Sequence, residues 1–218
     1  MERTRRCSRD FGRRWRGRRD RDRGIEASPV RRRGAIVVTG PERTPVVRIA
    51  DDEVDATLDR ELRALLSTCF TKPGDEIFRT RRYYAQPPSW RWSIRREDRL
   101  IAHVAAHDLS IRSGIRPCLR TRRVLGIAEV CVEPASRGEG LVKAMLAAAH
   151  AFGIERGLDL AMLFGREAIY ESSGYHAATG SVHVVEADGS AAVRSDVLFR
   201  ALASDVPEGD FILDGPAF

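Results

Sequence analysis

The sequence is short of the residues that staple or metallate a fold. Only 4 of its 218 residues are cysteine, and Cys7, Cys69, Cys118 and Cys131 show neither a C-x-x-C spacing nor a paired framework. A disulfide scaffold is thereby excluded, and the thiols read as buried or idle groups in a reducing cytosol. The 5 histidines are scattered. His103 and His107 share a face of one strand, but four strand residues span about 13 Å, too far for both to ligate one ion. No metal site is expected. Lysine is almost absent, since Lys72 and Lys143 stand against 35 arginines, so codon bias competes with selection for charge. No window approaches the ~18–20 apolar residues of a membrane helix, which argues against a membrane partner. No apolar h-region of about 7–15 residues follows the first arginines, so a secretory leader is not expected either, and a cytoplasmic location is.

What is present is unevenly distributed. The net charge is +6, yet residues 1–34 hold 14 Arg and 5 acids, a net +9, while 35–218 hold 23 Lys+Arg and 26 acids, a net −3. A nucleic-acid-binding fold would spread its basic charge over a folded face, so nucleic acid is an unlikely partner of the main domain. Segment 1–34 lacks apolar periodicity and cannot offset its ordering entropy, which predicts a disordered Arg-rich extension. It reads either as an arm for phosphate backbones or as a functionless extension. The remaining 35–218 is 184 residues, enough for one domain without staples.

A coarse pass predicts mixed α/β. A strand at 45–49 leads to Asp51-Asp52, a helix N-cap signal, and Val54, Leu58, Leu62, Leu65, Leu66 and Cys69 predict a helix over 53–69. A short helix fits near 75–82. Strands are predicted over 89–95, 100–110 and 122–132, with a hairpin turn at Arg96-Glu97-Asp98. Trp90 and Trp92 share one face of the first strand, and Leu100, Ala102, Val104 and Ala106 one face of the second. A helix over 138–156 carries Leu141, Met145, Ala148 and Phe152 and stops at Gly157. The apolar run 158–164 suits a parallel strand covered on both faces. A short helix over 167–173 ends at Gly174, and 175–186 and 193–202 read as antiparallel strands around Asp188-Gly189.

The chemistry concentrates where the 122–132 strand meets its helix, at Val130-Cys131-Val132-Glu133-Pro134-Ala135-Ser136-Arg137-Gly138-Glu139-Gly140-Leu141-Val142. Free N–H groups in a first helical turn cradle phosphate, and glycine lets a ligand approach the backbone. The spacing is neither a Walker A loop nor a dinucleotide fingerprint. An ordinary β–α turn would also use such glycines.

This stretch resembles the acetyl-CoA motif of the GNAT superfamily of N-acetyltransferases, Arg/Gln-x-x-Gly-x-Gly/Ala, with Arg137, Gly140 and Val142 at its positions. Val142 departs from the usual small residue. Two further stretches fit in order. Gly126-Ile127-Ala128-Glu129-Val130-Cys131-Val132 resembles the family's fourth strand, and Ile169-Tyr170-Glu171-Ser172-Ser173-Gly174-Tyr175 its aromatic-Tyr-Glu-Ser-x-Gly-aromatic signature. The resemblance covers about 45–205.

The resemblance implies a GNAT fold, with a mixed central sheet, splayed parallel strands 4 and 5, and flanking helices. It implies acetyl-CoA as co-substrate and a primary amine of a small molecule as acceptor, acylated by direct transfer. The edge Val130, Cys131 and Val132 would pair with the pantetheine amides, and the N–H groups of Arg137, Gly138, Glu139, Gly140, Leu141 and Val142 would hold the pyrophosphate. The Val130 N–H or a neighbour would face the oxyanion. Tyr170 would be the acid at the departing thiolate. Glu129 is the candidate base, although period two puts Glu129 and Glu133 on the face opposite Val130 and Val132. The Phe218 carboxylate is an alternative base.

Within the superfamily, Leu100-Ile101-Ala102-His103-Val104 and Pro207-Glu208-Gly209-Asp210-Phe211 look like the aminoglycoside 2′-N-acetyltransferases, whose strand glutamate falls one residue earlier, at Ala128 here. Tyr170 to Thr179 resembles the Eis-type acetyltransferase domain, and a weaker similarity runs to the nodulation acyltransferase. All three suggest an amine on a sugar-like scaffold. Tyr83, Tyr84, Trp90 and Trp92 could wall the acceptor pocket, with core packing the competing role. A catalytically degenerate acyl-CoA binder and a protein or peptide N-acetyltransferase are the alternatives, and a homodimer stays open.

Overall fold

The computed structural model describes residues 45–114, 120–185, 190–216 and 218, all within one compact unit, Arg33–Phe218. The basic segment 1–34, Cys7, Cys118 and the Asp188-Gly189 turn lie outside the described residues. A ten-stranded sheet forms the framework. It is built from β1 (Val46–Ala50), β2 (Trp90–Arg96), β3 (Arg99–Gly114), β4 (Arg120–Val132), β5 (Leu160–Phe164), β6 (His176–Ala177), β7 (Val182–Val185), β8 (Ala191–Arg194), β9 (Val197–Ala201) and β10 (Asp210–Pro216). The order is β6-β9-β5-β4-β3-β10-β7-β8, with β2 also on β3 and β1 on β2. The 16-residue β3 serves two partners along one edge, β2 at its start and β10 at its end. Three helices flank the sheet: α1 (Ala56–Cys69), α2 (Leu141–Glu155) and the single-turn α3 (Glu167–Tyr170).

Helix α2 covers one sheet face. Its Leu141, Met145, Leu146, Ala149 and Phe152 bury against Trp92 and Ile94 of β2, Ala102, Val104 and Ala106 of β3, Leu125 and Ile127 of β4, and Ala161 and Leu163 of β5. Burial of each large side chain contributes about 1.5–3 kcal/mol. Trp90 and Trp92 both meet the Phe152 ring, at 4.9 and 5.6 Å between centroids, so both act in packing. Helix α1 packs through Leu62, Leu65 and Leu66 on Phe78, Leu100 and Cys131.

Four sequence expectations change. The first helix starts at Ala56, not 53, because the Asp55 carboxylate accepts from the Thr57 and Leu58 N–H groups. Asp51 instead binds two arginines. The α2 helix begins at Leu141 rather than Gly138, since Gly140 holds a left-handed φ of 76° at its N-cap. The closing pair of long strands is instead four short strands, with β6 and β9 paired antiparallel and β7 and β8 paired antiparallel, and a fifth strand, β10, pairs with β7. Leu100 also leaves the face expected of it. A register shift between Ile94 and Arg95 leaves Ile101 without a Cα partner on β2, and Ile101 packs with the α2 cluster while Leu100 packs with α1. The β2–β3 turn is as expected, with Glu97 and Asp98 at φ 48° and 60°, the signs of a two-residue primed turn.

Candidate active site

Strands β4 and β5 pair in parallel only from Val124–Leu160 to Ile127–Leu163. Beyond that point β4 runs on to Val132 without β5, so the two strands splay. A cavity of about 710 Å³ opens at the splay, lined on its β4 side by Val130, Cys131 and Val132. Ser136, Arg137, Gly138, Gly140, Leu141, Val142 and Lys143 line it at the start of α2. Tyr170, Ile169, Ser172 and Ser173 close it opposite, and Cys69 and Phe70 at the end of α1 complete the wall. The motif residues Arg137, Gly138, Gly140, Leu141 and Val142 thus come together with the strand edge and Tyr170. Glu139 does not line the cavity; its carboxylate pairs with the Arg96 guanidinium at 2.5 Å.

The cradle fits an anionic phosphate group. No side chain caps α2, so the N–H groups of its first turn lack intrahelical partners. Gly138 and Gly140 have φ of 84° and 76°, and a Cβ at either would meet no atom within 4 Å. The backbone is therefore bare on the side facing the cavity. Arg137 donates from Nε to the Val132 carbonyl at 3.3 Å, tying the cradle to the strand edge.

Tyr170 is mostly buried, and desolvation raises its phenol above the ordinary value. It stays protonated at neutral pH and can donate. Its ring meets that of Tyr175 at 6.1 Å, nearly edge-on.

Glu129 lies at a bulge. Its φ is 50°, and Glu129 and Val130 together oppose Val104, because β3–β4 register jumps from Ala105–Ala128 to His103–Cys131. Val130 and Val132 pack on the α2 face. The Glu129 side chain is on the opposite face, 4% exposed, 3.3 Å from Arg91 Nη1. The Tyr84 N–H donates to its Oε1 at 2.9 Å. Burial pushes the carboxyl up to about 7, against the lowering effect of Arg91 and the Tyr84 N–H. Strict alternation would put Ala128 and Glu129 on opposite faces, but the bulge absorbs one residue, so the two share a face. Glu129 sits beside the splay but is not part of the cavity lining.

Arg91, which no sequence signal singled out, organises this face. It donates from Nε to Asp51 at 2.6 Å and from Nη2 to the Arg82 carbonyl at 3.1 Å. Arg82 in turn binds Asp51 at 2.7 Å and Asp59 at 3.1 Å. Hydrogen bonds and charge from both arginines hold the Asp51 carboxyl below its usual range despite burial. His103 and His107 are buried, and desolvation holds them neutral. The Phe218 ring lies 5.1 Å from those of His107 and Phe164, over Gly126. Tyr84 is 49% exposed and Tyr83 half-buried, whereas Trp92 belongs to the core and Trp90 packs against it. Among the described residues, no three His, Cys, Asp or Glu side chains are grouped to hold a metal.

Residues 50–178 match the family model of the acetyltransferase (GNAT) domain, more than half of the chain. The chain belongs to the GNAT acetyltransferases. It is an acyltransferase, and its fold agrees with solved members. The GNAT family N-acetyltransferase YhbS of Escherichia coli, in complex with CoA, is 16% identical with a TM-score of 0.56, over 81% of this chain and 93% of that one. A GNAT acetyltransferase of Brucella melitensis in complex with acetyl-CoA is 16% identical with a TM-score of 0.51, over 78% and 96%. An acyl-CoA N-acyltransferase of Pseudomonas aeruginosa is 17% identical with a TM-score of 0.50, over 73% and 100%. Comparison with curated protein sequences gives no match. Among the described residues, no helix of this acetyltransferase is long and apolar enough to cross a membrane.

Proposed function

We propose that this acetyltransferase moves the acetyl group of acetyl-CoA directly to a primary amine of a small molecule, with an amine on a sugar-like scaffold such as an aminoglycoside as the favoured class. The observation that carries the reading is the splay beyond Ile127 and Leu163, which opens the edge of β4 onto a cavity that ends at an uncapped helix. The pantetheine amides pair with the backbone of Val130, Cys131 and Val132, as an added strand would. The N–H groups from Arg137 to Val142 hold the pyrophosphate, with Lys143 as a nearby counter-charge. The Val130 N–H faces the carbonyl oxygen and stabilises its charge as the amine attacks. Glu129, poised at about 7, accepts the amine proton directly or through water. Tyr170 gives its proton to the departing thiolate. The cytoplasm, where thiols stay reduced, is the compartment this reading implies.

The test is a CoA-release assay across aminoglycosides, polyamines, amino acids and peptides. Aminoglycosides are expected to give the fastest release, and Tyr170→Phe to slow it by about tenfold or more at unchanged acetyl-CoA affinity. Absence of release from every amine, together with no thermal shift at millimolar acetyl-CoA, overturns the proposal. Binding without turnover favours a second reading, a catalytically silent acyl-CoA binder. The observation on its side is that Glu129 is held by Arg91 and the Tyr84 N–H, outside the cavity lining.

A further inference from the structure

Two thiols that the transfer reaction does not use line the cavity. Cys69, at the last position of α1, and Cys131, on the free stretch of β4, both contribute to its wall. They are far apart in sequence but pack together in one cluster at the end of α1. Cys69 is half-buried and reachable from the cavity, whereas Cys131 is buried behind it. The Cys69 Sγ also donates to the Val132 carbonyl at 3.3 Å, the same oxygen that Arg137 holds.

We propose that Cys69 and Cys131 are a dithiol that small-molecule disulfides oxidise to an intramolecular disulfide, and that this modification weakens acyl-CoA binding.

The two thiols are differentiated as the two steps require. The neighbouring Cys131 thiol, followed by the Arg137 charge, brings the Cys69 thiol down to about 7 despite its burial, so it supplies the thiolate. The Glu133 carboxylate opposes this more weakly. The Cys131 thiol is pushed up by its Cys69 neighbour and by burial, so it stays protonated until needed. In the first step the Cys69 thiolate attacks one sulfur of a disulfide such as glutathione disulfide. A Cys69–glutathione bond forms, the glutathione S–S bond breaks, and one glutathione thiolate leaves. In the second step Cys131 loses its proton to that leaving thiolate and attacks the Cys69 sulfur, expelling the second glutathione. Two protein thiols are oxidised and one disulfide is reduced to two thiols.

Closure turns the Cys69 sulfur toward Cys131 and removes its proton, so the bond to the Val132 carbonyl is lost. The end of α1 and the edge of β4 are drawn together across the cavity wall, where a pantetheine arm would lie. The binding consequence rests on the acyl-CoA reading of the cavity; the cross-link does not.

The experiment uses the full chain carrying Cys7→Ser and Cys118→Ser, treated with glutathione disulfide and then mapped by peptide mass spectrometry. A linked Cys69–Cys131 peptide is expected, with acetyl-CoA affinity by calorimetry weakened about tenfold or more and restored by dithiothreitol. Cys69→Ser in the same background should show no change between treated and untreated protein. A glutathione adduct that never resolves into the linked peptide overturns the proposal, as does a linked peptide with unchanged affinity. A reduced chain that fails to bind acetyl-CoA overturns the reading of the cavity and the binding consequence with it, while the mapped peptide still decides the thiol chemistry.

Discussion

Arg91 Nη1 lies 3.1 Å from Nε2 of the buried His103. A guanidinium only donates, so Nε2 must present its lone pair. The ring is neutral, because burial and the Arg91 charge hold its pKa well below the ordinary value. Its one proton is therefore on Nδ1, 3.3 Å from the Glu129 carbonyl oxygen, which accepts it. Arg91 thus holds the bulge through two routes, directly at the Glu129 carboxylate and indirectly through His103 at the Glu129 backbone. A non-glycine residue at φ 50° costs about 1–3 kcal/mol and persists only where its surroundings enforce it. Here the enforcement aims a carboxylate at the side of the splay.

Glu129 should govern the pH dependence of the reaction. With its carboxyl near 7, the basic form is scarce at pH about 5 and dominant at pH about 9. The turnover rate should rise through pH about 7 and level above it. Glu129→Gln should lower the rate by about 10²–10⁴ and remove that limb, while acetyl-CoA affinity stays the same. A rate profile in Glu129→Gln that keeps the limb would assign it to another group.

Gly140 tests the phosphate cradle. Acetyl-CoA should raise the melting temperature of the wild-type chain, and Gly140→Glu should abolish the shift by placing a carboxylate where the pyrophosphate belongs. Any side chain there meets a left-handed φ of 76°, a strain of about 1–2 kcal/mol, but no neighbouring atoms. Gly140→Ala carries the same strain without the charge. It should keep a measurable part of the shift, which separates loss of the cradle from loss of the fold.

Gly126 should not tolerate a methyl group. It is flanked by His107 of β3 and Met162 of β5, and a Cβ would come within 2.6 Å of Leu109 Cδ1 and 2.7 Å of the Phe218 ring. Gly126→Ala should cost about 1–3 kcal/mol in urea unfolding. Phe218→Ala removes one of the two side chains in the way, so the double variant should be less destabilised than the sum of the two single changes.

The cofactor side of the site was legible because it is local. Arg137, Gly138 and Gly140 sit on one β–α turn and Tyr170 in one short signature, so each motif is contiguous and the family resemblance brings them to notice. The parallel strand at 158–164 is legible from its near-continuous apolar run, broken only by Asp159. The polar face was not, because its members come together only through the sheet. Asp51, Arg91, His103 and Glu129 lie on four separate segments, and Asp51 looked like a helix cap. The bulge was invisible for the same reason, since period two holds along β4 until β3 supplies one residue against two. Strand β10 was missed because its partners β3 and β7 are distant in sequence, and Cys69 because nothing local joins it to Cys131.

Glu129 should also leave a signature in stability that does not depend on turnover. Its folded pKa, about 7, exceeds the ordinary value of 4.5. The folded chain therefore binds this proton more tightly than the unfolded chain does. That contribution is complete below pH 4.5 and is lost as pH rises through about 7. Glu129→Gln resembles the protonated form at every pH and lacks this loss. The wild type should therefore fall relative to Glu129→Gln by about 3 kcal/mol between acid and mildly alkaline pH. Acid conditions act oppositely on the buried histidines. His107 is held to about 4 and His150 to about 3, both by burial first, and His103 is lowered as well. Their neutral forms stabilise the fold above pH 6.5, and that contribution is lost as pH falls toward their folded values. Both chains carry these histidines, so the difference between them isolates the glutamate. Urea unfolding of the two chains across pH measures it, and a difference that stays flat would mean that Glu129 keeps its ordinary pKa in the fold.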